Sequence, residues 1–425
     1  MIATQIIDVR TWLGKGGRLA GVGYLDQLLS GIRQFATLWI ASRFLSVKDF
    51  ADFAVLTAAA LYGMQCANYL IRLPALVYSG GALHDRVEAY LSYLKKLDVV
   101  SSVLVASLLL VVLEIFQVPI SIPVALLFMS TCVALNVLEL ERRSRYIEAK
   151  PIDAAIMSGT ALAGTIVLLF VMAYFRVLNT ASALASLSVG ALVPALTSQI
   201  MRPAVPGSTP TIRRIAQLHA RYAGWELLGG TFLWMATQGI VVGLRPVFSS
   251  EQVGAFRLLT SLSGLVTFPI IVAENTLTTR AAEALRNAGI LGLRTFVEEV
   301  NSRLLLPGVF YIAASALACW IFVLLFIRDR FPSAQSMLVS FLVYVTFSVA
   351  AATGNIALRA SVQTRWICVA EASRFVIAAA TILIAVQLGS AIGAAAALGT
   401  GAVAVLAVQR LALRSVWAQE AKCAT

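Results

Sequence analysis

Seven charged side chains lie within or beside apolar stretches of the sequence, where charges are rare. They are Asp26, Arg33, Arg72, Glu226, Arg257, Glu371 and Arg374. A charge at the centre of a membrane helix costs roughly 2.5–3.5 kcal/mol, so it usually faces the protein interior, a partner or water. Guanidinium groups stay charged and bind phosphate oxygens through two parallel hydrogen bonds. The four arginines are therefore candidates for holding a phosphorylated ligand.

Arg33 and Arg257 are the strongest of these candidates. Arg33 lies about 14 residues into the first apolar stretch, roughly 20 Å of helical rise, which places it slightly beyond the membrane centre. Arg257 lies in the outer part of the eighth stretch. Two simpler roles stay open. Arg33 could pair with Asp26, which lies on the same helix face about 10.5 Å away, and Arg257 could extend to the outer interface.

Arg374 and Arg72 are further candidates for the same cavity. Arg374 follows Glu371 by three residues, so the two side chains could pair within one helix instead. Arg72 ends the second stretch on the predicted cytoplasmic side, where basic residues commonly fix membrane topology.

Three carboxylates are candidates for ion coupling or gating: Asp26, Glu226 and Glu371. A group that changes charge when it binds H⁺ or Na⁺ can favour one of two conformations over the other. A fixed role in packing or lobe closure is the alternative for Asp26. The amides of Asn136, Gln238 and Asn355 are expected to bond across helices.

The elements that position these residues are membrane helices. Of the 425 residues, 59% are hydrophobic and 13% are charged, which is typical of a polytopic membrane protein. The five cysteines show no CxxC spacing, which argues against a disulfide framework or a metal site. Apolar runs of about 20 residues predict twelve spans. They cover 19–41, 51–71, 98–117, 120–140, 153–175, 181–200, 222–244, 252–274, 304–327, 334–357, 367–387 and 390–411.

The net charge of +12 follows the membrane topology. With a cytoplasmic N-terminus, 24 of the 33 Lys and Arg residues fall in cytoplasmic segments, 6 in outer loops and 3 within spans. This asymmetry predicts that both termini are cytoplasmic. The basic residues are then expected to contact anionic lipid rather than nucleic acid.

The two halves of the sequence form a weak repeat. A shift of 203 positions aligns "SVKDFADFAVLT" from Ser46 with "SSEQVGAFRLLT" from Ser249, without a gap. Six spans per copy give both copies the same orientation. We therefore expect an all-α protein of two pseudo-symmetric six-helix lobes, residues 1–205 and 206–425, around a central cavity that both Arg33 and Arg257 could face.

The two turn segments carry a resemblance to a known family. They read "ASRFLSVKDFADFAVL" from Ala41 and "VVGLRPVFSSEQVGAFRLLTSLSGLVTFPIIVAENTL" from Val241. With about twelve spans, they resemble the polysaccharide-transporter (Wzx-type flippase) branch of the multidrug/oligosaccharidyl-lipid/polysaccharide (MOP) exporter superfamily. Relatives often have a glycine in each turn. The second turn has Gly254, whereas the first departs from the pattern with Ala51.

This resemblance implies a flippase rather than an enzyme. It would move an undecaprenyl-diphosphate-linked oligosaccharide from the cytoplasmic to the outer leaflet of a bacterial inner membrane, by alternating access around a cationic cavity. The implied partners are the lipid-linked substrate, membrane lipids, and a polymerase and other membrane proteins of the export pathway. No cofactor is expected beyond coupling to Na⁺ or H⁺.

Two alternatives stay open. A cation-coupled small-molecule exporter of the same superfamily would be expected to have an acidic cavity. A membrane polysaccharide polymerase or acyltransferase usually needs convergent acid–base residues. The chain has only His84 and His219, both in predicted cytoplasmic segments, and no long outer loop for such a site.

Overall fold

A computed structural model describes residues 15–79, 87–148, 150–200, 212–361 and 363–423. Throughout this part of the chain the regular structure is helical, without strands. The N-terminal half contains α1 to α6: Lys15–Phe44, Val47–Ala67 continued by Asn68–Arg72 and Leu73–Ser79, Val87–Ile115, Ile122–Ile147, Pro151–Tyr174 and Thr180–Ile200.

The C-terminal half contains α7 to α12. Helix α7 comprises Ile212–Met235 and a short continuation, Gly239–Leu244. The continuous segment Ser250–Phe326 is divided by non-helical backbone at Ala288 and Gly289 into α8 (250–287) and α9 (290–326). Gly289 has a φ of 64°, a left-handed conformation that glycine adopts readily. The last three helices, α10 to α12, are Ser333–Ala360, Thr364–Gln387 and Ala391–Cys423.

These twelve helices confirm the architecture predicted from the spans. The connection 275–303 between the eighth and ninth predicted spans is largely helical, and it forms the end of α8 and the start of α9. The predicted domain boundary at 205/206 falls within 201–211, outside the described residues.

Within the described residues, nine helices, α2 to α6 and α9 to α12, are long and apolar enough to cross a membrane. Helices α1, α7 and α8 carry Arg33, Gln238 and Arg257 in their interiors. Polar groups in a membrane helix usually face the inside of the bundle, so these three helices are expected to line it.

The helices pack as two bundles. Helix α5 packs on α1 and α6, and α4 packs on α3 and α6. In the other half, α10 packs on α12 and on the Ser250–Phe326 segment, and α11 packs on α7 and α12. The bundles meet where α1 and α2 contact α7 and the Ser250–Phe326 segment. The helices with polar interiors therefore lie at the junction of the two bundles.

The sequence repeat is also visible in local structure. Ser46 and Ser249 are the N-cap residues of α2 and α8, with φ, ψ of −60°, 157° and −62°, 153°. The Ser46 hydroxyl oxygen accepts from the Asp49 N–H at 3.1 Å, and that of Ser249 accepts from the Gln252 N–H at 3.3 Å. Ser46 and Ser249 are 203 residues apart, and so are Asp49 and Gln252. The repeat therefore specifies how both helices begin.

The two repeated helix starts pack against each other. Gly254 lies so close to its neighbours that an added Cβ would come within 2.6 Å of the Phe331 ring and 3.0 Å of the Phe50 ring. Phe50 and Phe331 themselves meet edge to face, with ring centroids 5.4 Å apart. The glycine therefore allows close contact between the bundles at their predicted outer end.

Candidate functional site

A cavity of about 70 Å³ lies at the junction of the bundles. Helices α1, α2, α4 and α6 supply most of its wall, and α8 supplies Arg257 from the other bundle. Its lining residues are Ser30, Arg33, Gln34, Thr37, Leu38, Thr57, Ala60, Leu61, Met64, Thr131, Leu135, Leu187 and Arg257. Two arginines predicted from opposite halves of the sequence thus meet at one cavity.

Arg33 is buried and has no ion-pair partner among the residues that the structure describes. Its side chain is only 7% exposed, and no described group accepts a hydrogen bond from its Nη1. Thr37 bonds the Arg33 carbonyl at 2.7 Å, which leaves the guanidinium uninvolved. A buried cation lacking hydrogen-bond acceptors is unfavourable unless an anion or water reaches it.

Arg257 is fully buried and has one polar partner among the described residues. Its Nη1 donates to the Oε1 of Gln238, whereas Nε and Nη2 have no acceptor there. Gln238 lies at the break between the two segments of α7, where Thr237 N–H bonds Trp234 O at 3.1 Å instead of continuing the regular helix. The break places a neutral acceptor beside Arg257 and leaves its charge uncancelled.

The remaining polar groups of the cavity are neutral. Thr37, Thr57 and Thr131 donate their hydroxyl protons to backbone carbonyls of their own helices. Their oxygens keep lone pairs that can accept from hydroxyl groups of a ligand. Among the described lining residues there is no carboxylate. The cavity therefore combines two cations with neutral hydrogen-bonding groups.

Asp26 does not pair with Arg33, which corrects one of the interpretations left open by the sequence. Its carboxylate instead accepts from Arg142 of α4, with Nε–Oδ1 at 3.0 Å and Nη2–Oδ2 at 2.6 Å. Tyr146 adds a hydrogen bond at 2.7 Å, and Ser158 adds another. Because four donors from other helices satisfy Asp26, the charge of Arg33 is left for the cavity.

Arg72 is not an exposed topology anchor. The Asn68–Arg72 turn is a π-helical segment, and the Arg72 side chain is 1% exposed inside the N-terminal bundle. It donates to Met64 O at 3.1 Å and to both oxygens of Asn136, and it lies 3.5 Å from Asp98. The structure places Arg72 among these partners and not in the lining of the cavity.

The two predicted residues of α11 pair with each other. Arg374 Nε lies 2.7 Å from Glu371 Oε2, and the Arg374 guanidinium lies 6.0 Å from the Tyr344 ring centroid. Glu226 is half-buried on α7. None of these three residues lines the cavity of Arg33 and Arg257. Their predicted roles in substrate binding and coupling stay predictions.

A separate set of contacts joins the bundles at their predicted outer end. Arg245, after α7, donates to Asp52 of α2 at 2.9 and 2.7 Å. Arg330, after α9, donates to the carbonyls of Ser42 and Leu45, the latter at 2.7 Å. A cation at a helix C-terminus satisfies its unpaired carbonyls and is favoured by the helix dipole. These contacts close the predicted outer end.

Comparison with known proteins identifies this fold. No protein-family model and no curated protein matches the sequence. An inward-facing multidrug resistance MATE family transporter of the MOP superfamily superposes with a TM-score of 0.68 at 13% identity, covering 92% of this chain and 95% of that one. A MATE family transporter in the outward-facing conformation gives 0.57 at 13% identity, covering 94% and 95%.

A third similar structure is a MOP superfamily transporter from Pyrococcus furiosus whose binding pocket is described as having reverse polarity. Its TM-score is 0.60 at 13% identity, covering 93% of this chain and 96% of that one. At this identity the likeness shows the fold alone: twelve helices in two bundles, as in MATE transporters.

Proposed function

We propose that the chain is a MOP-type flippase that moves an undecaprenyl-diphosphate-linked oligosaccharide from the cytoplasmic to the outer leaflet, by alternating access. One observation carries the proposal. Arg33 and Arg257, from opposite bundles, line one cavity with guanidinium nitrogens that have no described acceptor.

The chemistry of a diphosphate fits this arrangement. Each buried guanidinium carries a desolvation penalty of several kcal/mol that an anion can offset. A diphosphate has enough oxygens for both arginines, and charge-assisted hydrogen bonds are roughly twice as strong as neutral ones. Because the arginines belong to different bundles, one anion bound between them would draw the bundles together. The threonine and amide groups beside them suit sugar hydroxyls.

Release at the outer leaflet requires the outer contacts to open. The Asp52–Arg245 pair and the bonds of Arg330 hold that end closed, so they would have to break in the outward-facing state. A coupling ion, Na⁺ or H⁺, can bias this change only if it binds one state more tightly. Asp26, Glu226 and Glu371 are the proposed coupling residues. Asp26 would act by releasing Arg142.

Small-molecule export is the second candidate, and the cavity argues against the cationic substrates expected for it. With two arginines and no carboxylate in the described lining, a cationic compound would meet like charge. The relative from Pyrococcus furiosus, described as having reverse pocket polarity, indicates that pocket charge varies within this fold. Polymerase or acyltransferase activity is disfavoured because His219 is buried and both of its ring nitrogens are occupied. Nε2 bonds the Tyr90 hydroxyl at 2.6 Å, and Nδ1 bonds the Leu70 carbonyl at 2.7 Å.

The proposal includes a bacterial inner membrane location, cytoplasmic termini, and association with a polymerase and other export-pathway membrane proteins.

The proposed flippase activity is tested by removing the protein from its host and locating the lipid-linked oligosaccharide. A flippase defect leaves it accumulated on the cytoplasmic side, inaccessible to reagents added outside. Unpolymerised units already outside would identify a polymerase and refute the proposal.

A further inference from the structure

A groove between α5 and α6 lies outside the cavity described above. Its volume is about 600 Å³. The lining residues are Arg145, Asp153, Ile156, Met157, Thr160, Gly164, Leu168, Val189, Gly190, Val193, Pro194, Thr197 and Ser198. Ile156 and Val193 are each 58% exposed, so the groove opens on the surface that faces the membrane.

The shape of the groove follows from small residues. Gly164 and Gly190 let α5 and α6 touch: a Cβ on Gly164 would lie 3.7 Å from the Gly190 Cα, and one on Gly190 would lie 2.2 Å from the Thr165 hydroxyl. Pro194 lies within α6, where it removes a backbone hydrogen bond. The groove extends from this contact to Arg145 and Ser198 at the predicted cytoplasmic end.

The length of the groove matches one leaflet. Asp153 and Leu168 mark its ends on α5, and their separation of 15 residues corresponds to about 22 Å of helix. Half of a bilayer, headgroups included, is roughly 20–22 Å thick. The walls are effectively apolar, because the hydroxyls of Thr160 and Thr197 donate to carbonyls of their own helices at 3.0 and 2.9 Å.

The cytoplasmic end of the groove carries charges of both signs. Arg145 is 8% exposed, bonds Ser198 Oγ at 2.6 Å, and has an Nε without a described acceptor. Its Nη1 lies 3.2 Å from Glu148 and 3.9 Å from Asp153. The Asp153 side chain is 49% exposed, so one of its faces is available to a ligand.

We propose that this groove binds a zwitterionic aminophospholipid of the cytoplasmic leaflet. Its phosphate meets Arg145, its ammonium meets Asp153, and one acyl chain lies between α5 and α6. Charge complementarity selects this lipid, because a purely anionic headgroup that reached Arg145 would also meet Asp153 and Glu148. The inference does not depend on the proposed flippase activity.

The test is lipid retention by the full chain, measured by native mass spectrometry in detergent with added phosphatidylethanolamine, phosphatidylglycerol or undecaprenyl phosphate. The wild-type protein should retain phosphatidylethanolamine preferentially. Asp153→Asn should abolish the preference over phosphatidylglycerol. Arg145→Gln should weaken retention of phosphatidylethanolamine by roughly tenfold, as expected for a lost charge-assisted hydrogen bond.

Two further variants keep the test independent of folding defects. Ile156→Trp fills the groove from an exposed position without altering either charge, and it should also lower retention. Arg143→Gln, on the same helix as Arg145 but paired with Glu139, is the matched control and should retain lipid normally. Equal retention of all three lipids by every variant, or preferred retention of phosphatidylglycerol or undecaprenyl phosphate by the wild type, would overturn the proposal.

Discussion

At the residue scale, the site depends on which charges are neutralised. Asp26 is balanced by Arg142 and Glu371 by Arg374, whereas Arg33 and Arg257 have no described carboxylate partner. Gln238 is central to this difference, because it binds Arg257 with a neutral oxygen. A glutamate there would bind the same guanidinium and cancel its charge.

Gln238→Glu is therefore predicted to remove anion binding while preserving the fold. The substituted side chain has the same shape and still accepts from Arg257 Nη1, so the purified protein should elute like the wild type and melt at the same or a higher temperature. Its affinity for a polyprenyl diphosphate should fall by about tenfold or more. Gln238→Met, which removes the acceptor without adding charge, is the control and should bind more tightly than Gln238→Glu. The reverse order would contradict this role.

Arg33 and Arg257 should reduce the stability of the ligand-free protein. Replacing buried ionic groups by apolar ones of similar volume often stabilises a protein by about 1–4 kcal/mol. Arg33→Met and Arg257→Met should accordingly raise the thermal unfolding temperature in detergent.

Arg142→Met provides the matched comparison for these variants. It should lower the unfolding temperature, because removing one partner of a buried pair costs about 3–5 kcal/mol and leaves Asp26 unbalanced. If Arg33→Met destabilised the protein as much as Arg142→Met, then Arg33 would have a structural role.

At the element scale, helix positions were predictable from sequence but several side-chain partners were not. Apolar length specified the spans, and the 203-residue shift paired the N-caps Ser46 and Ser249. Arg142 lies 116 residues from Asp26, and no local pattern indicates that they meet. The π-helical turn that carries Arg72 inward and the break of α7 at Gln238 likewise depend on tertiary packing.

The contact between Arg245 and Asp52 is predicted to stabilise the closed outer end. Both side chains are largely buried, and hydrogen bonds to charged groups contribute about 1.5–3 kcal/mol. Arg245→Ala should therefore shift the population toward the outward-facing state. To measure this shift, Thr57 in the cavity wall is replaced by cysteine in a background without the native cysteines. The rate at which a membrane-impermeant maleimide labels this cysteine should be higher in Arg245→Ala.

A charge exchange provides the control for this pair. Asp52→Arg combined with Arg245→Asp should restore slow labelling, whereas each single exchange should label quickly. Unchanged labelling in Arg245→Ala would mean that the aromatic contact of Phe50 with Phe331 and the bonds of Arg330 are sufficient for closure.

At the scale of the whole molecule, two bundles meet at one polar cavity, which is the arrangement that the proposed alternating access requires. The predicted outer end is closed by contacts between the bundles. Arg33 and Arg257 reach the same cavity because α1 and α2 pack against the Ser250–Phe326 segment that contains α8. A conformational change that separates the bundles would therefore also separate the two arginines and release an anion bound between them.

The most direct test of this account is the movement of a fluorescent polyprenyl-diphosphate-linked oligosaccharide between leaflets of proteoliposomes. The wild-type protein should accelerate this movement, and Arg33→Ala and Arg257→Ala should each slow it by about tenfold or more at equal protein content. Arg33→Lys and Arg257→Lys, which keep the charge, should retain part of the activity. Wild-type rates in both alanine variants would contradict the cationic cavity as the substrate site.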